Sequence, residues 1–591
     1  TAKEEIYNNA TTRVLGDVYA EWEFLKDLKL KVSLGMDIMY LKQNKYTPSN
    51  IYQSLGIASA KVGVNRSINW LNENILTWNK TFKDIHSLNI LGGFTIQRNN
   101  VESVTGASSN FVNDVMKYNN LGAGSIYDKP ESSATQWSLM SYLARINYSL
   151  YDRYLFSVNG RVDGSSRFGG NNKYGFFPSG SVAWRISEEG FMEPVKAVIN
   201  NLKLRTSYGF TGNTEIGVYE SLATLESNSW TIGNQLVSGF YPNRIPNPDL
   251  KWEKTGQFDI GFDLGLFNNR LRLTADYYYK KTTDLLYNVA IPSASGYDSM
   301  LKNIGSVQNK GYELSIESDN LSGAFSWTTA FNISFNRNKV LELGGETYKD
   351  VGTYDDHLKT SDIRRLIVGQ PIGVFYGYRF DGIFQNEAEC AQQTSSPSPI
   401  GVGLRRYKDL NGDGKIDATN DREILGDANP KFFGGMTNTF AYRGFELNVF
   451  LQYSYGNKIF NYNAMELESP TGGQNVYQDL VNRWTPTNPS NEYQKATTNR
   501  NNIVSDRFIE DGSFLKLKTV SLSYSFPKLN WKHIGGLRLY VTGQNLLTWT
   551  KYRGYDPEVS YRGASTLEAG EDFGGYPQAR TFMFGIKLDI K

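Results

Sequence analysis

The sequence predicts an all-β protein, specifically a transmembrane antiparallel β-barrel, and three observations support this fold class. Apolar and polar residues alternate with a period of two over stretches longer than the roughly 5–6 residues usual for a strand. The connections between these stretches are alternately short and long. Aromatic residues (38 Tyr, 32 Phe and 11 Trp) are abundant, and many lie near predicted strand ends, as in the interfacial girdles of outer-membrane barrels.

The clearest predicted strand runs from Leu28 to Tyr40, where every second residue is apolar and most of the others are polar or small. About 17 or 18 segments of this kind can be found. Other examples are 142–150, 154–162, 252–264, 271–279, 327–335, 445–453, 522–526 and 582–590. A closed barrel accommodates such strands in lipid because it leaves no unpaired strand edge in the hydrocarbon.

The connections predict which rim of the barrel each loop occupies. Short connections occur near 25–27, 83–85, 151–153, 267–269 and 442–444. Long ones run approximately through 42–65, 99–133, 212–250, 385–431, 458–511 and 550–577. If every second connection is short, the tight turns lie on one rim and the long loops on the other, as in outer-membrane barrels. A soluble sandwich or propeller is the alternative for so many strands, and strand length and this alternation favour the barrel.

Composition excludes several other classes of protein. With 62 Lys+Arg against 60 Asp+Glu, the formal net charge is only +2, so no electrostatic preference for nucleic acid is expected. A single cysteine, Cys390, excludes an intramolecular disulfide framework and a Cys-rich zinc site. No apolar run approaches the roughly 18 residues of a membrane-spanning helix. No nucleophile elbow or His-Glu-x-x-His motif occurs, so we expect no enzyme.

The sharpest local motif is Asp409-Leu-Asn-Gly-Asp-Gly-Lys-Ile-Asp417, which matches the first part of an EF-hand-like calcium loop. The predicted calcium ligands are Asp409, Asn411, Asp413, the backbone carbonyl of Lys415, and Asp417. The closing bidentate carboxylate is missing, because position 12 of the loop is Asn420. The alternative is an Asx-rich turn without an ion, which spacing alone does not separate from a structural calcium site in an extracellular loop.

Several stretches carry a more specific signal. They include Asn247-Pro-Asp-Leu-Lys-Trp-Glu-Lys-Thr255 and Asp511-Gly-Ser-Phe-Leu-Lys-Leu-Lys518, together with 159–168, 174–185, 204–213, 303–314, 543–547 and 555–558. In sequence and in order along the chain, these stretches resemble the SusC/RagA-like TonB-dependent outer-membrane transporters of Bacteroidota. The resemblance covers nearly the whole chain.

That resemblance implies a domain organisation. Family members are similar to a plug domain fused to a 22-stranded barrel and preceded by a segment that contacts TonB, and neither N-terminal part is recognisable here. Residues 1–591 are therefore expected to be the C-terminal portion of the barrel, with about 17–18 of the 22 strands. The plug and the TonB-contacting segment are expected to be absent from this chain.

The resemblance also implies a function, namely active import of oligosaccharide or peptide cargo across the outer membrane of a Gram-negative cell. The implied partners are a SusD-like surface lipoprotein acting as a lid, TonB bound through the missing N-terminal part, outer-membrane lipid, and a second transporter–lid pair in a dimer. Two alternatives stay open: an outer-membrane receptor or adhesin without transport, and a secreted carbohydrate-binding β-protein. The residues that bind cargo are not identified by the sequence.

Overall fold

The computed structural model describes residues 4–297, 299–352, 363–469, 475–498, 502–527, 534–563 and 565–590. Strands dominate these ranges, and the α-helices found in them, α1 (Glu387–Cys390) and α2 (Tyr462–Leu467), are short. No helix within the described ranges has the length and apolar character needed to cross a membrane.

In chain order the first strands are β1 (Ile6–Leu25), β2 (Leu28–Thr47), β3 (Ser59–Phe82), β4 (His86–Phe111), β5 (Gly124–Tyr127), β6 (Glu131–Leu150), β7 (Tyr154–Ser165), β8 (Tyr174–Arg185), β9 (Ile199–Asn213), β10 (Thr224–Ile232), β11 (Gln235–Arg244), β12 (Glu253–Leu266), β13 (Leu271–Thr283), β14 (Leu286–Ala290), β15 (Ser299–Asn303) and β16 (Ser306–Leu321). They continue with β17 (Phe325–Glu342), β18 (Tyr348–Val351), β19 (Arg364–Ile367), β20 (Val374–Tyr378), β21 (Phe380–Ile383), β22 (Arg405–Tyr407), β23 (Arg422–Gly426), β24 (Phe432–Tyr442), β25 (Phe445–Tyr455), β26 (Lys458–Asn461), β27 (Ile509–Asp511), β28 (Phe514–Ser525), β29 (Ile534–Thr550), β30 (Glu571–Asp572) and β31 (Thr581–Ile590). Short 3₁₀ turns occur at Tyr52–Ser54, Lys117–Asn119, Leu121–Ala123, Ile186–Glu188, Gly190–Val195, Ser293–Ser295, Gln478–Asn482 and Asp506–Phe508.

The chain divides into two compact units. Unit 1 comprises Thr1–Trp184, Ser207–Gly256 and Thr282–Ile304, and unit 2 comprises Arg185–Thr206, Gln257–Lys281 and Gly305–Lys591. Across the described residues, eighteen strands take part in the main antiparallel pairing, and one of them, β5, has only four residues. This number confirms the 17 or 18 strands predicted from the alternation.

In unit 1 the strands β1, β2, β3, β4, β6, β7 and β8 each pair with the next in an antiparallel meander. Directly paired residues lie on the same face of a sheet. One row across five strands is wholly apolar, consisting of Leu28, Trp78, Ile90, Ile146 and Val158. The adjacent row on the opposite face is mostly polar and contains Lys29, Thr77, Leu91, Arg145 and Asn159. The predicted alternation therefore separates an apolar face from a polar face.

Unit 2 repeats this arrangement with β16, β17, β24, β25, β28, β29 and β31. Its apolar face contains a row of six paired residues, Ile316, Phe331, Met436, Leu451, Leu517 and Leu547. A short turn at Arg443–Gly444 joins β24 to β25, and both residues have positive φ. By contrast, long connections at 343–431, 456–513 and 551–580 lie at the other ends of these strands. The predicted alternation of short and long connections is confirmed.

Three predicted loops are wrong in extent. The loop placed at 385–431 is part of a longer connection that runs through 343–431. The connection placed at 42–65 is only 48–58, and much of the one placed at 99–133 is strand, because β4 continues to Phe111 and β6 begins at Glu131. Polar pairs such as Arg66 opposite Glu102 continue the ladder there. Backbone hydrogen bonds extend a strand without apolar side chains. The alternation therefore ends before the strand does.

Candidate functional site

The three long connections of unit 2 pack together into what we call the loop module, made of the described parts of 343–431, 456–513 and 551–580. The module has its own small sheets, formed by β18–β19–β20–β23, by β21–β22 and by β26–β27–β30. Its core is fully buried and contains Phe375, Phe460, Met465 and Phe508. These connections are therefore ordered structure rather than solvated linkers.

The glycine-rich stretch 369–378 belongs to this module. The sequence predicts a strand entering the barrel there, but β20 pairs with β19 and β23 in the small sheet instead. Gly373 has a φ of +68°, and a Cβ at this position would meet the Leu567 carbonyl at 2.8 Å. The bend and the close backbone approach therefore require a glycine at position 373. The next residue begins β20, which belongs to the small sheet of the module.

A buried ion pair joins two of the three connections. Arg364 Nε donates to Glu571 Oε1 at 2.9 Å, and the two side chains are 1% and 0% exposed. The same guanidinium donates to the backbone carbonyls of Gly373 and Ala569 and stacks on the Phe375 ring. Burial raises the pKa of the Glu571 carboxyl despite the opposing attraction of Arg364. Because removing one partner would leave an unpaired buried charge, this pair fixes how the connections meet.

A second charged cluster ties 456–513 to 551–580. Glu468, whose side chain is 1% exposed, accepts hydrogen bonds from Arg507 Nε at 2.8 Å and Arg553 Nη1 at 3.2 Å. Arg553 Nε also donates to Glu510 at 2.9 Å. Burial lowers the pKa of Arg553, but hydrogen bonds and attraction from the two glutamates outweigh it and raise the pKa overall. Each carboxylate thus has a cationic partner.

The motif Asp511–Lys518 forms a third set of ion pairs, which links β28 to the 551–580 connection. Lys516, only 2% exposed, donates to Asp556 Oδ1 at 2.6 Å and to Glu558 Oε2 at 2.5 Å. Lys518 donates to the same Glu558 oxygen at 2.9 Å. Burial alone raises the pKa of both carboxyls, but hydrogen bonds from the lysines and other donors outweigh burial, so both pKa values lie below their usual range. The two motifs 511–518 and 555–558 therefore hold the last connection against β28.

In unit 1 the motif Asn247–Thr255 plays a similar fastening role. Leu250 and Trp252 are buried with Phe168 and Phe177. The side chain of Asn303 bonds both backbone groups of Lys251, accepting at 2.9 Å and donating at 2.7 Å.

A close backbone approach completes this site. Trp252 Nε1 donates to the Lys173 carbonyl at 3.1 Å. A Cβ on Gly169 would lie 2.1 Å from the Pro248 carbonyl oxygen. Several stretches that carry the family resemblance thus meet at one place and hold connections together.

The polar face of unit 2 carries a charge cluster that the sequence did not single out. Arg205 Nη1 lies 2.6 Å from Asp276, its Nε lies 3.4 Å from Asp263, and Asp259 is 3.8 Å away. The residues come from β9, β12 and β13, and strand alternation places them opposite the apolar face. In a membrane barrel such a polar face lines the interior.

The predicted calcium loop forms a series of Asx turns. Asp409 accepts hydrogen bonds from the backbone N–H groups of Gly412 at 2.6 Å and Gly414 at 2.7 Å. Bonds to backbone N–H groups two or three residues ahead are accepted by Asn411, Asp413 and Asp417. The bonds from Asn420 and Thr419 lower the pKa of the Asp417 carboxyl.

Residues around this loop hold it in place through hydrogen bonds. Buried Asp421 accepts from the N–H groups of Leu410 and Asp417, and Lys415 forms a parallel bridge with Ser395. Carboxylate and carbonyl oxygens suit calcium. Within the described ranges, however, no three or more His, Cys, Asp or Glu side chains are placed to hold a metal ion. Because Asx turns also form without an ion, calcium binding here stays a prediction.

Known proteins match this chain in sequence and fold. The family described as TonB dependent receptor-like, beta-barrel, matches residues 4–384. TonB-dependent receptor P3 of Formosa agariphila is 38% identical over 99% of this chain and 59% of its own length. TonB-dependent receptor SusC of Bacteroides thetaiotaomicron is 30% identical over 97% of this chain and 55% of its own length.

Among solved structures, the RagAB peptide transporter superposes with a TM-score of 0.85 at 26% identity, covering 99% of this chain and 63% of that chain. The present chain thus spans a little under three-fifths of the length of these two curated relatives. Family match, relatives and fold agree with the strand pattern and motifs described above. The chain therefore belongs to the TonB-dependent receptor-like β-barrel family and is of the SusC/RagA type.

Proposed function

We propose that this chain forms barrel wall and loops of an outer-membrane importer for oligomeric nutrients in a Bacteroidota cell. A SusD-like surface lipoprotein would cover the long connections, and TonB would supply energy through a part of the transporter outside residues 1–591. The cargo would be glycan fragments or peptides, as the family resemblance implies, and the likeness to the RagAB peptide transporter supports peptides.

The observation that carries this proposal is the ordered loop module. Three long connections are fastened to one another by the Arg364–Glu571 pair and by the Glu468 cluster. A preformed surface binds a partner without the cost of ordering flexible loops first. At the other end of β24 and β25, the two-residue turn Arg443–Gly444 is too short to offer a comparable surface.

The polar face supports transport over adhesion alone. Barrels of roughly 16–18 strands or more leave room for an aqueous or plugged lumen, whereas small barrels are filled by side chains. The Arg205 cluster is the kind of charged, hydrated lining that such a lumen presents. An adhesin needs exposed loops but no lumen, so an outer-membrane receptor without transport is the second candidate.

Uptake in cells tests the proposal. The full-length protein would be restored to a Bacteroidota strain that lacks it, and accumulation of labelled oligosaccharides and labelled peptides would be measured with and without a protonophore. We expect accumulation of one cargo class that the protonophore abolishes. If the labelled cargo binds the cell surface but is never internalised, with or without the protonophore, the adhesin hypothesis would replace the importer hypothesis.

Purification tests the lid. We expect a lipoprotein to co-purify in mild detergent and to crosslink to the long connections at 343–431, 456–513 and 551–580. The matched control is crosslinking at the short turn Arg443–Gly444, where almost none is expected. A transporter that runs alone, with the loop module freely labelled by a soluble reagent, would refute the lid while leaving uptake open to the first experiment.

A further inference from the structure

Two cations and three aromatic rings surround a cavity in unit 2. Lys310 of β16 is paired with Arg337 of β17, and Tyr312 is paired with Phe335. Alternate residues of a strand share a face, so these four side chains lie together. With Tyr277 of β13 and the backbone at Gly311 they line a cavity of about 340 Å³.

The cavity lies on the apolar face of the sheet. Beyond Tyr312 and Phe335 the same face continues through Ile316 and Phe331 into the apolar row that reaches Leu547. The opposite face here is polar, because Tyr278 donates to Asn336 Oδ1 at 3.0 Å. Lys310 and Arg337 therefore point the same way as the residues expected to contact lipid.

Strand geometry places the two cations at one boundary of the membrane. Near the short turn, Trp327 stacks on Phe440 in the position of an interfacial aromatic. Ten residues of β17 separate Trp327 from Arg337. At about 3.4 Å per residue and a tilt of about 40°, these residues rise about 26 Å, close to the roughly 25 Å height of the apolar band. Arg337 and Lys310 thus reach the headgroup level at the long-connection side.

These cations lack the carboxylate partners found elsewhere in unit 2. Arg337 Nη1 donates to the backbone carbonyls of Asn336 at 2.8 Å and Lys431 at 2.9 Å, which leaves its positive charge unbalanced. No acidic residue lines the cavity, and in the described part of the chain neither Lys310 nor Arg337 forms an ion pair with an acid. On the polar face, by contrast, Arg205 lies against three aspartates.

We propose that this cavity binds the phosphate of an anionic lipid headgroup in the outer leaflet. Lys310 and Arg337 would hold the phosphate oxygens, and the first carbons of the acyl chains would lie against Tyr312 and Phe335. Cations at headgroup depth attract anionic lipid, whereas aromatic rings favour the boundary between headgroup and hydrocarbon. This inference rests on the proposed placement of the chain in the outer membrane.

Native mass spectrometry of the full-length protein in detergent tests the site with short-chain phosphatidylglycerol, short-chain phosphatidylcholine and inorganic phosphate. We expect tighter binding of phosphatidylglycerol than of phosphatidylcholine, with Lys310→Gln and Arg337→Gln each weakening it about fivefold. Tyr312→Ala should weaken lipid binding without affecting phosphate. The matched control is Lys280→Gln, because Lys280 lies over the Tyr278 ring on the opposite face of neighbouring β13, and this variant should bind like the wild type.

Three results would overturn the inference. Equal binding of the two lipids removes the charge argument, and equal weakening by Lys280→Gln removes the face assignment. Inorganic phosphate that binds as tightly as the lipid makes the cavity a free-anion site. A protein that fails to enter lipid nanodiscs refutes the proposed function as well, whereas a protein that inserts and shows no lipid preference refutes only this site.

Discussion

The buried lysine at the start of β28 provides the sharpest test of how the loop module is fastened. Lys516→Met keeps the length of the side chain but removes the charge that Asp556 and Glu558 share. Lys518 still neutralises Glu558, so Asp556, with an 8% exposed side chain, is the charge left buried without a cation. Breaking a buried pair on one side costs roughly 3–5 kcal/mol, and the remaining lysine places the expected loss at about 3 kcal/mol.

Hydrogen exchange of the full-length protein in detergent measures this loss where it occurs. The backbone N–H groups of Glu558 and Gln578 both donate to Asp556. A loss of about 3 kcal/mol makes opening of the 551–580 connection about 10²-fold more frequent, so peptides covering these two amides should exchange faster by that factor. Strand peptides from β24 and β25 should not change.

The chain offers a matched control and a rescue. Lys518→Met removes a cation from the same Glu558 oxygen, but Lys518 is 27% exposed, and exposed pairs contribute only about 0–1 kcal/mol. Adding Asp556→Asn to Lys516→Met should restore most of the protection, because no unpaired buried charge remains. Equal exchange in the Lys516 and Lys518 variants would refute the claim that burial decides the effect.

Three further outcomes are expected. Leu34→Arg, midway along the apolar stretch of β2, should destabilise the membrane-inserted protein by about 2–4 kcal/mol in bilayer unfolding measurements, whereas Ser33→Arg on the polar face should cost far less; equal costs would contradict the register. Asp556 and Glu558 have lowered pKa values, so their contribution is complete above about pH 4 and is lost as pH falls through the lower folded values; intrinsic-rate-corrected exchange of 551–580 should rise only in that acidic range, and a rise near neutral pH would count against the pairing. If the loop at 409–417 binds calcium, calcium should protect 405–425 from protease in the wild type but not in Asp413→Ala, and identical digestion with and without calcium would favour the Asx-turn alternative.

The fold was predictable because a membrane-type sheet shows its two faces in local sequence. The alternation from Leu28 to Tyr40 corresponds to one face of β2, and the connection lengths identify the two strand ends. Exceptions on the apolar face were not predictable. Asn72 and Asn74 lie opposite Leu34 and Val32, where Asn74 donates to Asn72 and Asn72 donates to the Ser33 carbonyl. A polar side chain that hydrogen-bonds to its neighbours can lie on the apolar face at low cost. The alternation of residue types along the sequence therefore does not show which face such a residue occupies.

The loop module was not predictable for a different reason. Arg364 and Glu571, its buried ion pair, are 207 positions apart in the chain, and neither lies in a pattern that periodicity detects. Long-range burial of a charge depends on which loops meet, and that is decided only in the folded chain. The internal sheets of the long connections, and the place of β20 among them, were missed.

The stretches that identify the family lie where the chain is fastened. Asn247–Thr255 holds connections of unit 1 together, and Lys516 with Asp556 holds the last connection of unit 2. Such contacts do not depend on the cargo, because their partners are backbone groups and buried side chains of the same chain. A resemblance based on these stretches can therefore identify the family without identifying a cargo. We accordingly expect residues outside these motifs to determine cargo selectivity. Substitutions at the contacts that hold the connections together should weaken uptake of every cargo equally.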